Sequence, residues 1–196
     1  MNDYRIDKKE LFNEIAAWDG LLKRKVQIIA CGGTALTLLD LKNSTKDIDF
    51  MVPKQNEFGY LIKILKQAGY NQGKSGGWQR DAGFRIDFFT GNKIHTTELI
   101  ESPLQKNNHL LIKQYGYIYL GVLNYYDLII SKLFRGSTVD FQDCLLLFRK
   151  KREEININVL KTRFHKTSSF DISEDKVNKH LDSFLRMLNE DGLKNG

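Results

Sequence analysis

Val26-Gln27-Ile28-Ile29-Ala30-Cys31-Gly32-Gly33-Thr34-Ala35-Leu36-Thr37-Leu38-Leu39 is the stretch that decides the fold. Five of its first six residues are apolar and three of them, Val26, Ile28 and Ile29, are β-branched, which suits a short buried strand. Gly32-Gly33 breaks the run, and Thr34 to Leu39 reads as the helix that follows. Glycines between a strand and a helix let backbone N–H groups approach a phosphate closely, and Thr34 is placed to cap the helix or bond a phosphate oxygen. Glycines also make ordinary tight turns, so the pair takes its meaning from what comes after it.

What comes after is a loop at Asn43-Ser44-Thr45 and then Asp47-Ile48-Asp49-Phe50-Met51-Val52, a second strand closed by Pro53. Strand side chains alternate, so Asp47 and Asp49 share a face while Ile48 and Phe50 take the other. Two carboxylates aimed at one spot raise each other's pKa and destabilise the fold unless a cation joins them. Mg²⁺ is a hard ion that takes oxygen ligands and removes the conflict. Alternatively, the pair faces water at a strand end, or Asp47 pairs with Lys46 on the surface.

Further along, Gly73-Lys74-Ser75-Gly76-Gly77 leads into Trp78-Gln79-Arg80. The turn Asp81-Ala82-Gly83 then connects to Phe84-Arg85-Ile86-Asp87-Phe88-Phe89, so the two apolar segments read as a hairpin. Asp87 sits between Ile86 and Phe88, where an unpaired charge is costly and something must compensate it. If its strand neighbours the Asp47 strand, three carboxylates meet. Such a cluster is how a protein holds the two metals that activate an attacking oxygen and steady a leaving one in phosphoryl transfer.

The rest of the chain frames this centre. Lys8 to Arg24 and Phe58 to Ala68 carry helical periodicity, and Tyr115 to Leu123 is strand-like. Beyond Asn124 the character changes: Tyr125 to Arg135, Phe141 to Lys151, Val159 to His165 and Asp175 to Leu188 all read as helices. The expected fold class is α+β with α/β-type order, a small mixed sheet flanked by helices and a helical C-terminal half. The expected division is a core over 1–123 and a helical region over 124–196 packed on it.

With 41% hydrophobic and 28% charged residues, the composition is that of a globular domain. Apolar runs are too short to span a bilayer and the N-terminus lacks a secretory pattern, so a cytoplasmic protein with no membrane partner is expected. Cys31 and Cys144 lie in apolar segments and suit small buried hydrophobes. The net charge of +6 favours a polyanion only modestly.

A hydrophobic strand ending in Cys31-Gly32-Gly33, a helix, Asp47-Ile48-Asp49 on the next strand and Asp87 on a later one together resemble the DNA polymerase β-like nucleotidyltransferase superfamily. A second stretch, Tyr126-Asp127-Leu128-Ile129-Ile130-Ser131-Lys132-Leu133 followed by Asp140-Phe141-Gln142-Asp143, resembles minimal nucleotidyltransferases of the AbiEii toxin type. The resemblance implies a Mg²⁺- or Mn²⁺-dependent transfer of NMP from an NTP, with Asp47, Asp49 and Asp87 as metal ligands. It implies that Gly32, Gly33 and Thr34 hold the triphosphate. By the same resemblance Lys132 contacts the nucleotide or assists catalysis, with Asp140 or Asp143 orienting it. The acceptor it suggests is RNA, a partner protein or a small molecule, in a toxin–antitoxin setting. Two alternatives stay open: Lys132 as a structural bridge between helices, and the whole chain as a nucleotide- or RNA-binding module without turnover. Lys74, Trp78, Arg80 and Arg85 are further candidates for a nucleic-acid surface, against simple packing of the tryptophan.

Overall fold

The structure is a computed structural model that describes residues 5–74, 76–81, 83–190 and 192. Ser75 of the glycine-rich stretch, Ala82 of the turn and the N-terminal residues 1–4 lie outside the described residues. In chain order the elements are β1 (Ile6–Asp7), α1 (Lys8–Leu21), β2 (Val26–Ala30), α2 (Gly32–Leu38), β3 (Ser44–Thr45) and β4 (Ile48–Val52). There follow α3 (Gln55–Gln67), β5 (Asn71–Gln72), β6 (Trp78–Gln79), β7 (Ile86–Thr90), β8 (Lys93–Ile94) and β9 (Thr97–Glu98). Last come β10 (His109–Gln114), β11 (Ile118–Leu123), α4 (Tyr125–Arg135), α5 (Thr138–Lys150), α6 (Ile157–Ser168) and α7 (Glu174–Glu190). The chain is thus a mixed α/β protein built on a central mixed sheet, with seven α-helices among the described residues.

Two compact units form: Met1–Lys93 with Glu101–Leu123, and Ile94–Ile100 with Asn124–Gly196. The first holds a seven-stranded sheet in the order β10-β11-β2-β4-β7-β6-β5. β11 runs parallel to β2 and β4 parallel to β7, while the remaining pairs are antiparallel. β4 is buried along its whole length, as expected for a central strand covered on both faces. Trp18 of α1 packs its ring against Phe50 of β4 at 5.9 Å and Phe88 of β7 at 5.7 Å. α1 itself starts at a capping box, in which Asp7 accepts from the Glu10 N–H and Glu10 accepts from the Asp7 N–H. Near the other end of α1, Asp19 accepts from three consecutive backbone N–H groups, Gly116, Tyr117 and Ile118, and so pins the turn before β11.

Two details of the sequence reading are corrected. β4 begins at Ile48, so Asp47 belongs to the bend before the strand and not to the strand itself. β11 begins at Ile118 and is partnered by β10, which the sequence reading missed. β10 is the edge strand with mostly exposed or half-exposed residues, so no inward-facing apolar alternation marks it.

The second unit is a helical cluster in which α7 meets α4, α5 and α6. Phe134 packs on Phe164 and Phe148 on Phe184, both edge to face. Asn124 caps α4, Gly136 ends it in the left-handed conformation, and Ser137 opens α5 with a second capping box through Asp140. Both cysteines are buried thiols, and burial pushes the Cys144 thiol well above its usual range. Among the described residues no helix is long and apolar enough to cross a membrane.

Candidate active site

β2 delivers the chain to Cys31, whose N–H donates to the Asp49 carbonyl at 3.1 Å and fixes the start of α2 against β4. Gly32 takes φ +57°, and a Cβ at that position would overlap Asp49 Oδ2. A Cβ on Gly33 would stand 2.5 Å from Thr45 Oγ1. The glycine pair is therefore required by how closely β3 and β4 approach it. α2 has only seven residues, so a phosphate at this turn would be held by local N–H groups, with little help from a long helix dipole.

Thr34 has a different place from the one expected. It is fully buried and caps nothing. Its Oγ1 accepts from the Asp49 N–H at 2.9 Å and donates to the Asp47 carbonyl at 3.2 Å, where Thr45 Oγ1 also donates at 3.0 Å. The hydroxyl is committed to the backbone on either side of Ile48. Thr34 sets the position of the Asp47–Asp49 segment.

Asp49 and Asp87 are register partners on the parallel strands β4 and β7. Residues paired in this way issue from the same face, about 4.8 Å apart. Asp49 is 7% exposed, Asp87 half-buried and Asp47 exposed on its bend. Arg85 forks over Asp87: Nε donates to Oδ2 at 3.0 Å and Nη2 to Oδ1 at 3.1 Å. This hydrogen bonding raises the Arg85 pKa. Partial burial opposes the shift, and the charges of Asp87, Asp47 and Asp49 add to it. All three carboxylates therefore act on one guanidinium. Among the described residues no three His, Cys, Asp or Glu side chains gather as a metal-holding group. Asp47 is displaced to the bend, and Asp87 is turned to Arg85. Asp49 and Asp87, register partners on one face, remain a donor pair of the kind a hard divalent ion takes, with Asp47 two residues away on the bend.

Lys132 lies in the helical unit and is 2% exposed. Its Nζ reaches Asp143 Oδ2 at 2.8 Å and Asp140 Oδ1 at 3.7 Å, linking α4 to α5. Asp140 is also paired with Arg135 and accepts from Ser137 Oγ at 2.6 Å. Burial alone would raise the Asp140 pKa, but the Arg135 and Ser137 hydrogen bonds and the Lys132 charge outweigh it and hold it at about 2. Asp127, fully buried in α4, is gripped by Arg163 of α6 at 2.7 and 2.8 Å.

Sequence reasoning missed the Asp127–Arg163 pair and the role of Arg85. The second was legible in principle, since Arg85 and Asp87 are two residues apart at the start of a strand and share a face. Of the other surface candidates Lys74 is exposed, whereas Trp78 and Arg80 are engaged in packing. Trp78 is buried beneath Lys66 at 5.4 Å, and Arg80 stacks over Tyr70 at 5.0 Å.

Residues 9–188 match the model of the family described as "nucleotidyltransferase of unknown function" (DUF6036). The chain belongs to this family. Its fold is shared with ANT(2'')-Ia, solved in complex with adenylyl-2''-tobramycin. The TM-score is 0.55 and identity 16%, covering 80% of this chain and 95% of that one. A solution structure of the same antibiotic-resistance factor gives a TM-score of 0.58 at 13% identity, covering 89% of this chain and all of the other. Among curated proteins no sequence relative is found. At such identities the shared feature is the nucleotidyltransferase fold.

Proposed function

We propose that this nucleotidyltransferase-family chain moves a nucleoside monophosphate from an NTP to an acceptor hydroxyl and releases pyrophosphate. The observation that carries the reading is the register pairing of Asp49 with Asp87 beside Gly32-Gly33. Asp49, Asp87 and, from its bend, Asp47 would hold Mg²⁺ or Mn²⁺, which when bound supplies positive charge for the triphosphate and a more acidic acceptor hydroxyl. The backbone N–H groups of Gly32 and Gly33 bind phosphate oxygens. Asp87 accepts the acceptor's proton. Thr34 positions the acidic segment through its two hydrogen bonds to the backbone. Lys132 serves in the reading as the buried tie between α4 and α5, because its ammonium is already satisfied by Asp143.

The acceptor class we infer is a hydroxyl-bearing molecule: RNA, a protein side chain or a small polyol. ANT(2'')-Ia, captured with an adenylyl-tobramycin, is an instance of a small acceptor on this fold. The toxin–antitoxin setting rests on the resemblance of residues 126–143 alone. The test is incubation with each α-labelled NTP, Mg²⁺ or Mn²⁺, and total RNA, lysate or hydroxylated small molecules. An Asp49→Asn/Asp87→Asn variant is run beside it. Label transfer that vanishes in the variant supports the reading. Nucleotide binding with no transfer to any of the three acceptor classes refutes it in favour of a binding module.

A further inference from the structure

We propose that Arg85 is a built-in counter-cation for Asp87 that competes with a divalent ion for its carboxylate. This inference rests on the metal-dependent reading above and adds a residue that the reading does not use.

The geometry is specific. Arg85 engages both oxygens of Asp87, with Nε 3.0 Å from Oδ2 and 3.2 Å from Oδ1, and Nη2 3.1 Å from Oδ1. Its own carbonyl accepts from the Ile48 N–H at 2.9 Å, so the residue is anchored to the start of the Asp49 strand. The antiparallel pairing of Trp78 with Ile86 sets Gly77 beside Asp87. A Cβ on Gly77 would stand 2.5 Å from Arg85 Nε and 2.9 Å from Asp87 Oδ1. The ion pair thus lies flat against a backbone that only glycine leaves clear.

The charges explain why it is there. Two carboxylates in register on adjoining strands repel each other, and the Arg85 guanidinium offsets that repulsion. The same guanidinium, about 3 Å from both Asp87 oxygens, opposes an incoming divalent ion. Its side chain is 43% exposed, so a change of rotamer takes the guanidinium from the carboxylate towards solvent. Occupancy by metal and occupancy by Arg85 are therefore alternatives, and Asp87 is freed only when a stronger cation displaces the resident one.

The test is Mn²⁺ binding by the full chain in low-salt buffer without nucleotide, followed by the electron paramagnetic resonance of free Mn²⁺. Wild type, Arg85→Gln, Arg85→Lys and Arg85→Gln/Asp87→Asn are compared. Arg85→Gln is expected to bind Mn²⁺ roughly tenfold tighter, the effect of removing one partly screened charge next to a ligand. The double variant is expected to lose that gain. Should Arg85→Gln fail to fold, Arg85→Lys, which keeps the charge but cannot fork across both oxygens, must still bind about threefold tighter than wild type. Equal or weaker binding by the Arg85 variants, with wild type binding normally, overturns this inference and leaves the metal-dependent reading standing. Absence of binding in every protein overturns that reading and this inference with it.

Discussion

Asp49 and Asp87 stand directly opposite each other across parallel strands β4 and β7, and the seven-stranded sheet is what brings them together from 38 residues apart. Charge repulsion at this point works against folding, and the chain keeps both groups. Asp49→Asn and Asp87→Asn, each isosteric, are expected to lower nucleotide transfer about a hundredfold or more. Neither should lower the melting temperature by more than a few degrees, and Asp49→Asn should hold or raise it. Transfer assays and thermal melts on the same preparations check both halves. Full activity in either variant would remove the carboxylate pair from the chemistry.

The strand, glycine pair and acidic segment were legible because each has a local cause: β-branched residues for β2, a conformational break at Gly32-Gly33, alternation for β4. The helices α4 to α7 were legible from periodicity for the same reason. Register was not local. That Asp87 falls opposite Asp49, and not one residue off and facing away, follows from the β4–β7 pairing, which no short window encodes. Thr34 was misread because its position after a glycine pair suits a cap, whereas a buried hydroxyl is satisfied by whatever backbone lies nearest, here β4. β10 was missed because an edge strand exposed to water lacks the apolar alternation that marks its neighbours.

Gly32 combines a left-handed φ of +57° with contact to the Asp49 carboxylate. Gly32→Ala therefore meets backbone strain and a steric overlap at once, and is expected to destabilise the chain by about 1–3 kcal/mol. Gly59, inside α3 with open space for 4 Å around the point a Cβ would occupy, is the opposite case. Gly59→Ala is expected to stabilise by about 0.5–1 kcal/mol through lower unfolded-state entropy and better helix propensity. Urea unfolding of both variants tests the pair, and a destabilised Gly59→Ala or a neutral Gly32→Ala would contradict these contacts.

Lys132 bridges α4 to α5 with almost no exposure, so removing its charge takes a buried cation away from Asp143 and Asp140. Lys132→Met is expected to cost about 3–5 kcal/mol. Lys132→Met/Asp143→Leu, which removes both ends of the closer bridge, should recover a large part of that loss. A structural tie predicts this rescue in chemical denaturation. A lysine that serves the nucleotide instead predicts lost transfer at unchanged stability, and that outcome would move Lys132 back to the active site.

Asp140 gives a pH dependence whose sign is fixed. Its pKa falls from the ordinary 3.8 to about 2 on folding, because Arg135, Ser137 and Lys132 favour the ionised form more than burial disfavours it. A group with a depressed folded pKa contributes stability that is complete above the unfolded value and lost as pH falls through the folded one. Here the contribution is about 2 kcal/mol, present above roughly pH 5 and lost between about pH 4 and pH 2. Asp140→Asn removes the titration while keeping an acceptor for Ser137. Wild type should exceed the variant in unfolding free energy at pH 6 by at least that amount, and the gap should narrow as the pH falls below 4. Equilibrium denaturation across pH 2.5 to 6 measures the gap directly. A gap that stays constant over that range would show that Arg135 and Lys132 do not depend on the ionised carboxylate.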